Sequence, residues 1–243
     1  MSARVVALIQ ARMGSTRLPG KVLMRIGERS LLERVVERVE RMQTLSAWAV
    51  ITSDLAADDA IVTLCRTRGW QCLRGSALDV CDRYHAAAAA MQAEHVVRVT
   101  ADCPLLCWEQ GDRVVDAHLV DRNDYTHNLT CWGSGLPIGT GLEAMRAEVL
   151  ERAWREGREP HHREHVTEWI FEQRAQFAFA RVDAPAELRR PDYRLTIDHP
   201  HDLEFVRRIQ SASAGASGCA TLREVVACID ADGGLFHEAR RAA

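Results

Sequence analysis

Long apolar runs are missing from the 243 residues, and none approaches the ~20 that a membrane-spanning helix needs. The opening MSARVVALIQ is too short and too soon interrupted for an export signal, so the chain is expected to stay in the cytoplasm. An excess of one charge is missing too. Lys plus Arg number 31 against 34 Asp plus Glu, a net charge of −3, which gives no general pull toward nucleic acid or an anionic membrane. The eight cysteines, at 65, 72, 81, 103, 107, 131, 219 and 228, include no C-x-x-C pair. A zinc ribbon or dithiol redox centre is therefore not expected, and in a reducing compartment the cysteines read as buried thiols. The six tryptophans stand singly, as core or interface residues rather than a platform for stacking bases. There is no internal repeat.

What is present is an ordinary globular composition, 47% hydrophobic and 27% charged, on a length that allows one α/β domain or two small ones. Residues 5–9 form a continuous apolar run suited to a strand buried on both faces. Ser30-x-x-Glu33 is a capping box opening LLERVVERVERM, whose apolar residues repeat at helical spacing. The same reading predicts strands at 48–52, 70–74 and 95–99, alternating with helices at 58–67, 78–93 and 109–121. That alternation argues for a mostly parallel sheet with helices on its faces. Ligands gather at the C-terminal ends of such strands.

Residues 124–146 break the pattern with four glycines and Pro137, and are expected to form a loop-rich or hairpin region, a lid, an edge or a dimerisation element. Helices at 147–156 and 161–174, strands at 177–182 and 193–197, and a helix after Asp198 follow. Residues 211–218, SASAGASG, read as a flexible link to a last helix at 222–229. The expectation is one domain over 1–210, with 211–243 packed on it.

The segment ALIQARMGSTRLPGKV (7–22) resembles a P-loop but misses it twice. Five residues separate Gly14 from Gly20 where the P-loop has four, and Val22 stands in place of Ser or Thr. Arg12, Arg17 and Lys21 bring three cations into ten residues, and Gly14, Ser15 and Thr16 allow close backbone approach. A triphosphate needs that mix of backbone N–H groups and long cations. A solvated basic turn is the competing reading. Asp102 in TADCPL and Asp198 in TIDHPHDL are both strand-end aspartates ahead of a proline. Each alone is an ordinary turn residue. Together they can share one hard cation such as Mg²⁺, which takes one or two carboxylates plus phosphate oxygens and water.

These segments also carry a resemblance. IQARMGSTRLPGKVL, LRGSALDVCDRY (73–84), VRVTADCPL (97–105), REHVTEWI (163–170) and YRLTIDHPHDLEFV (193–206) are similar, in order, to cytidylyltransferases that activate acidic sugars. Within these they resemble the branch named after the spore coat polysaccharide biosynthesis protein SpsF. The resemblance implies an α/β fold of the GT-A-like nucleotidyltransferase type, three layers α/β/α around a mixed, mostly parallel sheet. It implies that CTP, or another NTP, and a sugar give a CMP-sugar and pyrophosphate in a homodimer. Residue by residue, Arg12, Lys21, Asp102 and Asp198 would be catalytic, with Mg²⁺ on Asp102 and Asp198. Ala11, Gly14, Ser15, Arg17 and Thr100 would join them on the nucleotide, and Arg74 and Ser76 would face the base. Glu143, Arg163 and His165 would lie on the sugar side. The family commonly carries Arg-Gly-Leu-Asp-Val-Glu where this chain has Thr-Gly-Leu-Glu-Ala-Met (140–145), which implies a different acceptor or reduced activity.

Two other readings stay open. A glycosyltransferase on the same fold would use an Asp-x-Asp element, but Asp102 is followed by Cys103 and Pro104. A nucleotide-binding subunit without turnover rests on the changes at 140–145. His161 and His165, four apart, also allow a metal pair on one helix face.

Overall fold

The computed structural model describes residues 3–213 and 218–240. Its strands are β1 (Val5–Gln10), a small hairpin of β2 (Arg25–Ile26) and β3 (Arg29–Ser30), β4 (Ala47–Ser53), β5 (Cys72–Gly75), β6 (His95–Thr100), β7 (Tyr125–His127), β8 (Glu143–Arg146) and β9 (Phe179–Arg181). Seven of them form one sheet in the order β5-β4-β1-β6-β8-β7-β9. β5, β4, β1 and β6 run parallel, and β8 is antiparallel to both its neighbours. The sheet is therefore mixed and mostly parallel.

Alternation along β1 builds the layers. Val5, Ala7 and Ile9 face one core, and Val6 and Leu8 face the other. The first core is closed by α1 (Leu31–Val39), α2 (Asp59–Arg68), α4 (Trp108–Val120), α8 (Pro200–Ser213), α9 (Leu222–Ala231) and α10 (Gly233–Ala239). The second is closed by α3 (Val80–Ala90), α5 (Ala147–Glu156) and α7 (Glu168–Glu172), with the short α6 (Pro160–Glu164) beside α3. The result is three layers, α/β/α. Among the described residues no helix is long and apolar enough to cross a membrane, and the eight cysteines form no disulfide.

Local signals account for much of this. The Ser30 hydroxyl caps the Glu33 N–H and the Glu33 carboxylate caps the Ser30 N–H, starting α1 where the box predicts. Leu31, Leu32, Val35, Val36 and Val39 are all buried beneath it. Gly69 stops α2 in the left-handed conformation, φ 70°.

Four expectations change. The 124–146 region forms the hairpin that the sequence allowed, β7 with β8 around the 128–142 loop, but it is no edge: β8 lies inside the sheet between β6 and β7. The strands are three and four residues long, and pairing with distant β6 and β9, not composition, places them. The helix expected over 161–174 is split into α6, α7 and a 3-10 turn. It breaks at Val166, a β-branched residue held at φ 32°. Residues 193–197 make no strand; one isolated bridge joins Ile138 and Arg194. Two of their backbone bonds join Ile138, and one each goes to Arg190, Ala239 and Asp102. At the C-terminus α8 runs on through Ser213, and α10 follows the expected last helix. The rest of the predicted link, 214–217, lies outside the described residues. Buried Arg38 fastens this end to the core, donating to the carbonyls of Leu106 (3.1 Å) and Ala220 (2.8 Å).

Two buried histidines make stability depend on pH. His118 on α4 meets His95 at 2.9 Å and Thr126 at 3.2 Å, and His127 on β7 sits among Tyr125, Phe171 and Phe179. Burial pushes both imidazoles down to about 4, helped at His118 by His95 and Arg146, and at His127 opposed by Glu143 and helped less by Arg181. Unfolded, they protonate near 6.5, so unfolding takes up protons between those values. Their contribution is whole at pH 7, falls from about pH 6.5 toward 4, and changes no further below that. Each is worth on the order of 3 kcal/mol. Urea melts across pH 7 to 4 should show this slope, and His118→Gln should remove about half of it; an unchanged slope would acquit the histidine.

Candidate active site

The loop after β1 is pinned before it meets any ligand. The Met13 N–H donates to Asp58 (2.7 Å), and the Met13 carbonyl accepts from the N–H of Ser15 (3.0 Å) and Gly20 (2.9 Å). Burial raises the Asp58 carboxyl, but the Ser53 hydroxyl and the backbone N–H groups of Met13 and Ser53 outweigh it and hold it below its ordinary range. Gly20 turns the chain at φ 72°, a conformation costly for any residue with a Cβ. Lys21 follows it into a single 3-10 turn. Among the described residues, no protein acceptor takes the N–H of Arg12, Gly14, Thr16 or Arg17.

Lys21 is the hub. Its ammonium donates to the Ile197 carbonyl (2.5 Å), to Asp102 (3.2 Å) and to Asp198 (3.3 Å), with the residue only 8% exposed. Arg17 reaches Asp198 at 2.9 Å, and Arg194 pairs with its other oxygen. Burial favours the neutral Asp198 carboxyl, yet Lys21, Arg194 and Arg17 hold it below the ordinary carboxylate value. It is ionised at neutral pH and a weak proton acceptor. Arg12 pairs with Glu164 at 2.9 Å.

A cleft of about 290 Å³ opens over this cluster, at the C-terminal ends of β1 and β6. Of the residues singled out from the sequence, Arg12, Ser15, Arg17, Lys21, Thr100, Asp102, His165 and Asp198 line it. Ala11 is buried in the loop, its N–H engaged by the Ile51 carbonyl, and Gly14 faces open space. Four candidates lie elsewhere. Arg74 is drawn back onto the Ser53 and Leu55 carbonyls and Asp59. The Ser76 hydroxyl accepts the Asp79 N–H. Arg163 braces α6 against Asp79 (2.6 Å) and the Trp154 carbonyl (2.7 Å). Glu143 is neither at an edge nor in this cleft. It is buried in β8, accepting from Arg98 (2.7 Å), Thr167 (3.1 Å) and the Tyr125 hydroxyl. Burial works against the Arg98 charge, but Glu143 more than restores it.

The sequence reading missed Gln10, Arg98 and Glu164, all of which line the cleft. It also missed Arg83 on α3. Arg83 is 2% exposed, and none of its three guanidinium nitrogens has a hydrogen-bond partner. Its stem packs on Gly75, and the charges acting on it besides Tyr84 are Arg12, Asp58 and Glu164. Burial lowers its pKa. A buried unpaired guanidinium is costly unless something anionic or hydrogen-bonding joins it. Gln10 adds a second buried orphan, its Oε1.

Two carboxylates that meet one ammonium from opposite chain segments suit a divalent cation shared with phosphate oxygens. Asp102 and Asp198 therefore fit Mg²⁺. His161 and His165 do not form a pair, because α6 ends between them and His165 turns to the cleft. His161 and His162 instead both bond Glu172 at 2.9 Å. His162 Nδ1 accepts the Glu159 N–H, so its Nε2 carries the proton and is no ready ligand.

A family model described as cytidylyltransferase matches residues 6–224. The chain belongs to the cytidylyltransferase family. It is 34% identical over 210 residues to the spore coat polysaccharide biosynthesis protein SpsF of Bacillus subtilis, covering 84% of this chain and 85% of that one. A 3-deoxy-manno-octulosonate cytidylyltransferase of Anaeromyxobacter dehalogenans is 37% identical over 116 residues, 46% of each chain. The solved structure of a cytidylyltransferase from Leptospira borgpetersenii superposes with a TM-score of 0.89 at 30% identity, covering 100% of this chain and 99% of that one. The protein is thus an SpsF-type cytidylyltransferase, an enzyme with the nucleotidyltransferase fold.

In this cytidylyltransferase Lys21 neutralises two carboxylates at once. Lys21→Met should cost about 2 kcal/mol, since it strands partly buried charge, and should raise the Asp198 carboxyl toward its ordinary range. Thermal melts and carboxylate titration by NMR check both; an unmoved Asp198 would remove Lys21 as its counter-ion.

Proposed function

We propose that this cytidylyltransferase transfers CMP from CTP to a hydroxyl of a sugar acid and releases pyrophosphate, with Mg²⁺ held by Asp102 and Asp198. The observation that supports this most directly is the cleft itself: two carboxylates, Lys21, Arg12 and Arg17 converge beside a loop with unengaged N–H groups. The family, and relatives named for 3-deoxy-manno-octulosonate and for spore coat polysaccharide, favour CTP and a surface-glycan sugar acid. CTP and the sugar are the partners; the reading needs neither nucleic acid nor a membrane. Related synthetases make a homodimer the working expectation.

The residues divide the work. The N–H groups of Arg12, Gly14, Thr16 and Arg17 receive phosphate oxygens, and Ser15 keeps the loop in shape through its bond to the Leu18 N–H. Arg12 exchanges Glu164, and Arg17 exchanges Asp198, for the triphosphate. Lys21 stays near the leaving pyrophosphate and offsets the charge that grows there. Mg²⁺, when bound, supplies charge stabilisation and alignment of the phosphates. Asp102 and Asp198 would hold it, because their carboxylates converge on one point beside the cleft. The acceptor oxygen forms its bond to the α-phosphorus as the bond to the pyrophosphate oxygen breaks, so positioning and electrostatics carry most of the effect. Arg83 does not line the cleft, but it is buried within the field of Arg12 and Glu164, and we assign its unpaired guanidinium, with Gln10 of the lining, to acceptors on the nucleotide.

Pyrophosphate release assayed with each of the four NTPs, Mg²⁺ and sugar acids tests the reading. Release should require CTP. Asp102→Asn should lower kcat by about 10²-fold or more while the protein stays folded; full activity in that variant would end the metal assignment. Arg83→Met should leave the thermal stability of the ligand-free protein unchanged or higher, because a buried unpaired charge is gone. It should weaken CTP binding about 10- to 100-fold. Lower stability with unaltered CTP affinity would make Arg83 structural.

A further inference from the structure

The carboxylate end of the cleft stands on a piece of chain that joins no sheet. Residues 190–197 carry Arg194, which pairs with Asp198, and the Ile197 carbonyl that accepts from Lys21 (2.5 Å). Tyr193, Leu195 and Ile197 are buried in the same core as α8, yet they form no strand. A segment without a ladder takes its position from single bonds, so the source of each bond matters.

Those bonds come from two sides. On one side is the 128–142 loop. The Arg190 N–H donates to the Gly135 carbonyl (3.0 Å), the Ile138 N–H to the Tyr193 carbonyl (2.7 Å) and the Leu195 N–H to the Ile138 carbonyl (2.8 Å). On the other side are α9 and α10. Asp230, near the end of α9, accepts from Arg190 (Nη2 at 2.5 Å, Nε at 3.3 Å) and from the Tyr193 hydroxyl (2.5 Å). The Ala239 carbonyl, at the end of α10, accepts the Arg194 N–H (2.9 Å), and Arg240 pairs with Asp192 (2.5 Å). Phe236 meets the Tyr193 ring edge-on, with centroids 6.0 Å apart. Arg190 first, then Tyr193, outweigh burial and hold the Asp230 carboxyl below its ordinary value. Burial, then Asp230, pushes the Tyr193 phenol up to about 12. At neutral pH the acceptor is therefore charged and the donor keeps its proton. Asp230, Ala239 and Arg240 all lie beyond residues 6–224, so the family match does not reach these contacts.

We propose that α9 and α10 set the position of the metal-side carboxylate, and that Asp230 is a positioning residue acting on Asp198 through Arg190, Tyr193 and the segment they anchor. The proposal rests on the Mg²⁺ assignment made above. Asp230 touches none of the groups that line the cleft. It fixes the segment at Arg190 and Tyr193, and the fixed segment presents Arg194 to Asp198 and the Ile197 carbonyl to Lys21. With that anchor gone, Leu195 and Ile197 stay buried, but Asp198 loses its fixed place beside Lys21. Misplacing a reacting group by about 1 Å costs up to about 10²-fold in rate. The loop after β1 is held by Asp58 and by its own backbone bonds, so CTP binding without metal should change little.

The test compares Asp230→Ala and Tyr193→Phe with Glu187→Ala, which breaks another contact of α9, Arg223 to Glu187 (2.7 Å), away from residues 190–194. Hydrogen exchange is read first, on the metal-free protein. The amides of Arg194, Leu195 and Ile197 are bonded to Ala239, Ile138 and Asp102. In Asp230→Ala they should exchange about 10-fold faster or more, while the β1 amides change by less than about 3-fold. Half-maximal pyrophosphate release should then need about 10-fold more Mg²⁺. Metal-free CTP affinity should stay within about 2-fold. Tyr193→Phe should move the same readings in the same direction, and Glu187→Ala should move none of them. Unchanged exchange at the segment in both variants overturns the proposal, as does faster exchange with an unchanged Mg²⁺ requirement. Equal acceleration in β1, or the same changes in Glu187→Ala, marks a general loss of stability and also overturns it. In all these cases Mg²⁺- and CTP-dependent release by the unaltered enzyme leaves the proposed reaction standing. Release by the unaltered enzyme without any divalent cation overturns the metal assignment and this proposal with it.

Discussion

One ammonium holds the functional end of this protein together. Lys21 bonds Asp102, Asp198 and the Ile197 carbonyl, joining the loop after β1, the turn after β6 and the extended segment before α8. Those pieces lie 81 and 177 residues apart in the chain. Without a cation at that point, two carboxylates and a carbonyl would face one another in a partly buried place, a repulsive arrangement at low dielectric. The neighbouring charges are arranged around the same need. Arg17 and Arg194 share Asp198, and Arg12 is parked on Glu164. The charged groups of the cleft are thus paired with one another across distant segments.

An apolar cavity walled by Leu106, Leu129, Ile138 and Leu142 adjoins the cleft, and the sheet explains why the two differ in chemistry. On the parallel side, β1 and β6 bring their C-terminal ends, with loop N–H groups and charged side chains, to the same edge. β8 enters antiparallel beside β6, so its start, at Glu143, is what reaches that edge. Its carboxylate is saturated by Arg98, Thr167 and Tyr125, and the loop preceding it supplies Leu142, Gly141 and Gly139. A polar cleft and an apolar cavity thus meet at Arg98 and Thr100. The strained turn at Val166 serves both: it ends α6 so that His165 lines the cleft and Thr167 bonds Glu143.

How much of this was legible depended on distance along the chain. The capping box of α1, the helix α2 expected at 58–67 and the doubly buried β1 depend on neighbours within a turn or on a run of like residues, and they stand close to where the pattern put them. The 124–146 segment showed its hairpin character but not its place in the sheet, because β7 and β8 are too short to show a period, and their interior position comes from partners on β6 and β9. Arg74 and Arg163 carry residue types suited to a site, but nearby carbonyls and carboxylates draw both away from the cleft. Arg83 showed the opposite pattern. In the sequence it lies in LRGSALDVCDRY, a segment that carries the resemblance, with no role of its own; only the packing of α3 against Gly75 makes it a buried charge without a partner.

The sequence by itself determined the alternating strands and helices, the loop with its three cations, the two Asp-Pro segments and the family they mark. These are local or ordered features, written in residue type and spacing. Only the tertiary structure decided that Lys21 lies between Asp102 and Asp198, that Glu143 is a saturated core carboxylate, that Arg83 is left unpaired, and that an apolar cavity adjoins the charged cleft. Each of those is a matter of which distant groups compete for the same hydrogen bond or the same dry space, and that competition exists only once the sheet has brought them together.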